Sequence, residues 1–156
     1  MRSFFVASLS AVRTQVRLVV FLERLHNYPS LPSSHISHLG ELYHLSTSSN
    51  AEIRLRFYEL ALKDPLSDAA KTFAVTASKW VVGNDGSGII KGRMKFCRPI
   101  FRAIFKVDNT LAVEVFTTFK DQFHPIAKKL IEKVCVREVA VSCSFNSTFP
   151  KDLGIA

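Results

Sequence analysis

The sequence predicts an all-α fold, an α-solenoid of stacked helix pairs, with a compact helical bundle as the competing arrangement. Three observations carry this. Apolar residues recur at helical spacing in nearly every segment. No convincing strand pattern occurs before residue 133. Two helices with their turns recur roughly every thirty residues, close to the period of helical repeats, although the repeats share no signature. A chain of 156 residues is enough for one domain. Its 47% hydrophobic and 22% charged content excludes wholesale disorder. Apolar runs such as Leu18 to Leu22 fall far short of the ~20 residues of a membrane span. Three cysteines without a CxxC pair exclude a disulfide framework and fit a reducing compartment, so a cytoplasmic location is expected.

The first helix is expected to run to about His26, with Val16, Val19, Val20, Leu22 and Leu25 on its apolar side. Residues 1–22 hold Arg2, Arg13 and Arg17 and no acid, the composition of a mitochondrial presequence. The apolar pattern nevertheless continues unbroken, which favours the start of an amphipathic helix. Asn27-Tyr28-Pro29-Ser30-Leu31-Pro32 ends it, because proline cannot donate to a helical ladder. Ser33 or Ser34 is expected to cap a second helix bearing Ile36, Leu39, Leu42 and Tyr43, closed by the polar run Ser46 to Asn50. Ser49-Asn50-Ala51-Glu52 reads as a capping box opening the third helix. There Glu52, Arg56, Glu59 and Lys63 form a thin polar stripe, with Glu52–Arg56 and Glu59–Lys63 at the spacing of ion pairs. The rest of that helix is apolar, so neighbours must cover both flanks. Arg54 lies on the apolar side and calls for a partner carboxylate.

Asp64-Pro65 is expected to open the fourth helix, to about Val82. Four glycines from Gly83 to Gly92 mark a flexible connection. Pro99 is placed in the first turn of the next helix, through Ile100, Ile104 and Phe105. Asp108 or Asn109 caps another, with Ala112, Phe116, Phe119 and Phe123 at helical spacing, and Pro125 begins a last helix to about Glu132. Residues 134–149 are β-branched and partly alternating (Val134, Val136, Val139, Val141, Phe145), out of keeping with a helical body.

Tests for chemistry exclude most sites. His35, His38 and Glu41 fan across some 120° of a helix with no cysteine nearby, and there is no HExxH, so no metal site is expected. Cys97 beside Arg98 has the neighbour of a reactive thiol but no identifiable base, and a core thiol is the expectation. Gly83 and Gly88 have phosphate-loop spacing, yet Ile89-Ile90 stand where Lys-Ser/Thr would be required.

The basic cluster is more informative. Lys plus Arg exceed Asp plus Glu by 21 to 13, a net charge of +8, which favours anionic partners. Lys91, Arg93, Lys95, Arg98, Arg102 and Lys106 fall within sixteen residues, with no acid between Gly86 and Val107. Arg98, Arg102 and Lys106 read as a solvated helix face. Arg93 and Lys95 lie on a loop or at a helix N-terminus, where free N–H groups and the helix dipole already favour anions.

Gly92-Arg93-Met94-Lys95-Phe96-Cys97-Arg98-Pro99, with Asn50-Ala51-Glu52-Ile53-Arg54-Leu55-Arg56-Phe57 and Phe123-His124-Pro125, resembles the C-terminal domain of the leukotriene A4 hydrolase/aminopeptidases, zinc-dependent M1 peptidases. The likeness covers roughly Thr14 to Lys133, and the GRMKF run is its most specific part. It implies an armadillo-like superhelix of paired antiparallel helices. It also implies that Arg93 and Lys95 bind the substrate carboxylate, either the C-terminus of a short peptide or the acid of a lipid epoxide. No catalytic residue and no cofactor or metal is assigned to this chain. Zinc, its ligands and the general base are expected in the catalytic domain of the full-length enzyme, which is the expected partner, and the chain alone is expected to be inactive.

The resemblance divides the chain into residues 1–13, a non-native extension of the first helix, the family domain over 14–133, and an atypical, irregular tail over 134–156. Removing 134–151 would join Leu130-Ile131-Glu132-Lys133 to Asp152-Leu153-Gly154 and restore the family ending, so that stretch reads as a translated intron. The competing functional expectation is a free-standing helical scaffold binding an acidic partner or nucleic acid through the Lys91–Lys106 ridge. Under the family reading, neither nucleic acid nor a membrane is an expected partner.

Overall fold

The computed structural model describes residues 2–134, with side chains from residue 14 onward. Six long helices follow in order: α1 (Arg2–His26), α2 (Ser33–Leu42), α3 (Ala51–Ala61), α4 (Asp68–Val81), α5 (Met94–Val107) and α6 (Asn109–Phe119). Short 3-10 turns lie at Leu45–Thr47 and Lys120–Gln122, and residues 125–134 are again helical. Among the described residues there is no strand, as the periodicity predicts. The strand-like stretch after residue 134 lies outside the described residues.

The helices alternate between two layers. α1, α3 and α5 pack side by side, as do α2, α4 and α6, while α3 packs on α4, α4 on α5 and α5 on α6 between the layers. This is how stacked helix pairs bury a face that no single pair could cover. α3 sits in the middle, and its composition explains why. Ile53, Leu55, Phe57, Tyr58, Leu60 and Ala61 are all buried, leaving a narrow wet edge between α1 and α5. Aromatic rings tie the layers together. Phe57 meets Phe73 edge-on at 5.0 Å, Tyr58 meets Trp80 at 5.5 Å, and Phe101 contacts both Phe116 and Phe123 at 5.9 Å. Such pairs add about 0.5–1.5 kcal/mol each beyond their burial. Gly40 in α2 makes the close approach to α3 possible, since a Cβ there would lie 2.8 Å from the Phe57 ring.

Several local expectations change. On α1 Leu22 is buried and Leu18, Val19 and Leu25 are half-buried against the core, whereas Val16 and Val20 face solvent. Ser33 and Ser34 do not cap α2 but are its first two residues; Pro32 is the N-cap, and Ser33 Oγ accepts from the Ala69 N–H at 3.4 Å. Leu42 and Tyr43 are exposed. Asn50, not Ser49, caps α3, accepting from the Glu52 N–H at 3.0 Å. Asp64-Pro65 forms a turn, and Ser67 caps α4 through the Ala70 N–H. Asp108 caps α6 as expected. α5 begins at Met94, five residues before Pro99, because burial of Cys97 and the packing of Phe96 on Trp80 extend it backwards.

The polar stripe on α3 pairs both along its own helix, at i to i+3 rather than i to i+4, and outward to its neighbours. Arg56 binds Glu59 at 2.8 Å and Glu23 of α1 at 3.0 Å, and Lys63 donates to the His26 and Tyr28 carbonyls. Arg54 finds the carboxylate its position demands: Nη1 donates to Asp85 Oδ2 at 2.7 Å, with only 12% and 10% of the two side chains exposed. The guanidinium lies 5.3 Å from the Trp80 ring and 6.0 Å from Tyr58. Asp85 Oδ1 meanwhile accepts from the Ser87 N–H and hydroxyl. The glycine connection is therefore fastened rather than loose. Gly83, at φ +76, allows the chain to turn back against Ile89, where a Cβ would collide with backbone, and Lys91 N–H reaches the Val81 carbonyl at 2.9 Å.

Burial works to raise the Asp85 carboxyl, but the Ser87 hydrogen bonds and the Arg54 charge outweigh it and hold the group below its ordinary value. A carboxyl depressed in the folded state stabilises above its unfolded pKa of about 3.9, and that stabilisation is lost as pH falls through the lower folded value. Asp85→Ala is expected to cost about 3 kcal/mol in urea unfolding at pH 7, because it strands a buried cation. It should also flatten the acid limb of stability below about pH 4. A variant as stable as the parent would contradict this account.

Candidate carboxylate-binding site

The two cations singled out by the sequence both lie at the start of α5, on the edge where α4 hands over to α5. Arg93 is the N-cap, with extended backbone (φ −68, ψ 132) and no side-chain capping bond. Its carbonyl accepts from Phe96 and Cys97 N–H groups at 2.8 and 3.1 Å. Its side chain is exposed and makes no ion pair among the described residues. As at any helix start, the first-turn N–H groups lack intrahelical acceptors and carry the positive end of the dipole.

Lys95 stands one residue into the same turn, with its ammonium 6.0 Å from the Phe96 ring. It is not unpartnered. Its Nζ lies 2.6 Å from Glu52 Oε1, in the first turn of α3. The structure thus brings Arg93 and Lys95 to one helix end but gives them no shared partner. The Glu52 contact was missed in sequence, where Glu52 was assigned to Arg56 on its own helix.

The remaining cations of the ridge continue along α5. Arg98, Arg102 and Lys106 are exposed and make no ion pairs among the described residues. With Lys95 they fall within about 80° of the helix circumference and span about 16 Å, opposite the buried Cys97, Ile100 and Ile104. Cys97 is fully buried, its Sγ 3.8 Å from the Gly92 carbonyl, and burial pushes the thiol up despite nearby backbone N–H groups. It is a core thiol, as expected. His35, His38 and Glu41 face solvent. Among the described residues no cluster of His, Cys, Asp or Glu could hold a metal ion, and no helix is long and apolar enough to cross a membrane. Two surface hollows, about 350 Å³ beside Gly40, His44 and Phe73 and about 370 Å³ beside Lys120, Phe123 and Lys128, include neither Arg93 nor Lys95.

A family model described as leukotriene A4 hydrolase, C-terminal, matches residues 14–135. The chain belongs to that family. Among curated relatives, leucine aminopeptidase 2 of Emericella nidulans is 37% identical over 123 residues, 77% of this chain. The proteins of the same name from Chaetomium globosum and Neurospora crassa are 34% and 32% identical over 75% and 85% of it. The chain spans 18% of the length of each of these three relatives. No solved structure matches it. Glu52, Arg54, Asp85, Arg93 and Lys95 all lie within the family match, so this helix edge is part of the leukotriene A4 hydrolase C-terminal domain itself.

Burial leaves Cys97 without a nucleophile's role. With Cys135 and Cys143 replaced by Ser, the native protein is expected to react with an aromatic disulfide reagent only as fast as it unfolds. Rapid labelling under native conditions would overturn that assignment.

Proposed function

We propose that this chain is the carboxylate-anchoring domain of a zinc aminopeptidase of the leukotriene A4 hydrolase type, acting on short peptides or a lipid epoxide acid and inactive by itself. The observation that carries the reading is Arg93: a permanently charged planar fork, exposed at the N-cap of α5 and without an ion pair among the described residues. Such a group offers two parallel hydrogen bonds to a carboxylate, while Lys95 beside it adds a point charge.

The chemistry asked of these residues is positioning. Gripping the substrate's negative end fixes its distance and direction, which lowers the entropic part of the barrier at a reacting bond some residues away. No proton transfer is needed from Arg93 or Lys95. The described residues do not fit a zinc site, so no step is assigned to the metal here; its ligands and the general base would belong to the catalytic domain of the full-length enzyme, which is this domain's natural partner. Cysteine usage supports a cytoplasmic setting.

In the full-length enzyme carrying this domain, Arg93→Ala is expected to lower kcat/KM for tripeptides by about tenfold or more. Lys95→Ala should cost less, since Glu52 already occupies that ammonium. Unchanged tripeptide kinetics in the Arg93 variant would refute the role.

The exposed, unpaired Arg98, Arg102 and Lys106 favour a second reading, a scaffold that binds an acidic partner or nucleic acid along α5. It requires an affinity that falls steeply with salt as counterions are released. Binding of the 156-residue chain to a polyanion that is absent, or flat between low and physiological salt, would dismiss it.

A further inference from the structure

We propose that Glu52 is an internal competitor for the substrate carboxylate, holding Lys95 in the unliganded domain and releasing it when a carboxylate is gripped by Arg93. The proposal rests on the carboxylate-anchoring reading above and adds a regulator to that site. Glu52 and Lys95 are 43 residues apart in sequence, yet each sits in the first turn of its helix and their charged atoms are 2.6 Å apart. Glu52 is left to make this contact because Arg56, the cation one turn along its own helix, is engaged by Glu59 and Glu23. An acid is also favoured at the first turn of α3, where it complements the helix dipole. Nothing else on the α5 start is acidic: no Asp or Glu occurs from Gly86 to Val107. Glu52 is therefore the built-in carboxylate of a site otherwise composed of cations.

The exposure of the pair decides how it behaves. Lys95 is 57% and Glu52 34% exposed, so the pair stays open to water on the lysine side and their attraction is modest and exchangeable. The lysine stem is long and flexible, whereas the Arg93 fork has no competing acid among the described residues. A ligand carboxylate held by Arg93 can accept Lys95 in place of Glu52, exchanging one ammonium–carboxylate contact for another. Glu52 then stands as a like charge near the bound anion. Its removal should tighten carboxylate binding, the opposite sign from the loss expected of a residue that merely orients Lys95 or supports the fold.

The test uses the full 156-residue chain titrated with trialanine and with its C-terminal amide. The parent chain should prefer the free acid, and Glu52→Gln should strengthen acid binding up to about five-fold while leaving the amide unchanged. Glu52→Asp, which keeps the charge in the first turn of α3, should stay close to the parent. In a Lys95→Ala background the effect of Glu52→Gln should shrink, because the competition for that ammonium is gone and only like-charge repulsion is relieved; an undiminished effect overturns the competitor role. Weaker or unchanged acid binding in folded Glu52→Gln overturns the competitor role. If Arg93→Ala abolishes the acid preference at the same time, the anchoring reading stands without it. Absence of any acid preference in the parent chain overturns both.

Discussion

The arginine at position 54 is the constraint on which this edge of the domain depends. It sits on the side of α3 that the rest of the helix devotes to apolar packing, and it is held there by Asp85 at 2.7 Å and by the faces of Trp80 and Tyr58. Replacing such a pair by well-fitted apolar residues is often neutral or stabilising, so its net contribution to stability need not be large. Its geometric consequence is larger. Asp85 belongs to the connection between α4 and α5, and binding it to α3 sets where that connection turns and where α5 begins. Glu52, from the same turn of α3, reaches the α5 start directly. One helix end thereby fixes the edge that presents Arg93.

The two contacts from α3 differ in kind. Arg54–Asp85 is about nine-tenths withdrawn from solvent and is surrounded by rings and hydrogen-bonded serine, so its rupture leaves a charge in a poor medium. Glu52–Lys95 is partly exposed to water, where exchanging one carboxylate for another costs less. A fixed pair beneath an exchangeable one suits a site that must keep its shape and still release its contents. Cys97 contributes to the fixed part as packing: it is buried at the inner face of α5, behind the turn that carries both cations.

Much of the helical body was legible because its signals are local. Apolar spacing located the helices, Asp108 was readable as a cap, and Arg54 announced its need for a carboxylate by standing alone among apolar residues. The identity of that carboxylate was not legible, since Asp85 lies 31 residues away in a stretch whose glycines suggest looseness. The helix starts at Asp68 and Met94 differ from those read at Asp64-Pro65 and Pro99 for a related reason. Proline marks where a helix is tolerated to begin, but tertiary burial decides where it does. The pairs that Glu52 and Arg56 make with other helices are not legible because in-helix spacing states only which partners are reachable. It does not state which neighbouring helices the fold will bring closer, here α1 and α5 beside α3. For the candidate site, position in sequence indicated a helix end, while only the fold distinguished a committed Lys95 from an uncommitted Arg93.

That distinction bears on which cation can carry an anchoring role. A lysine already satisfied by an acid gains only the difference between two similar contacts when a ligand arrives. An arginine without an acid gains the whole of a bidentate contact, and its fork is preorganised so that less freedom is lost per hydrogen bond formed. Its location at the N-cap adds the helix dipole with no like-signed ligand to displace. Under the proposed anchoring role, selectivity for a terminal carboxylate over an uncharged end would follow chiefly from Arg93. Under the same proposal, Lys95 and Glu52 together would set how much of that attraction is held in reserve while the site is empty.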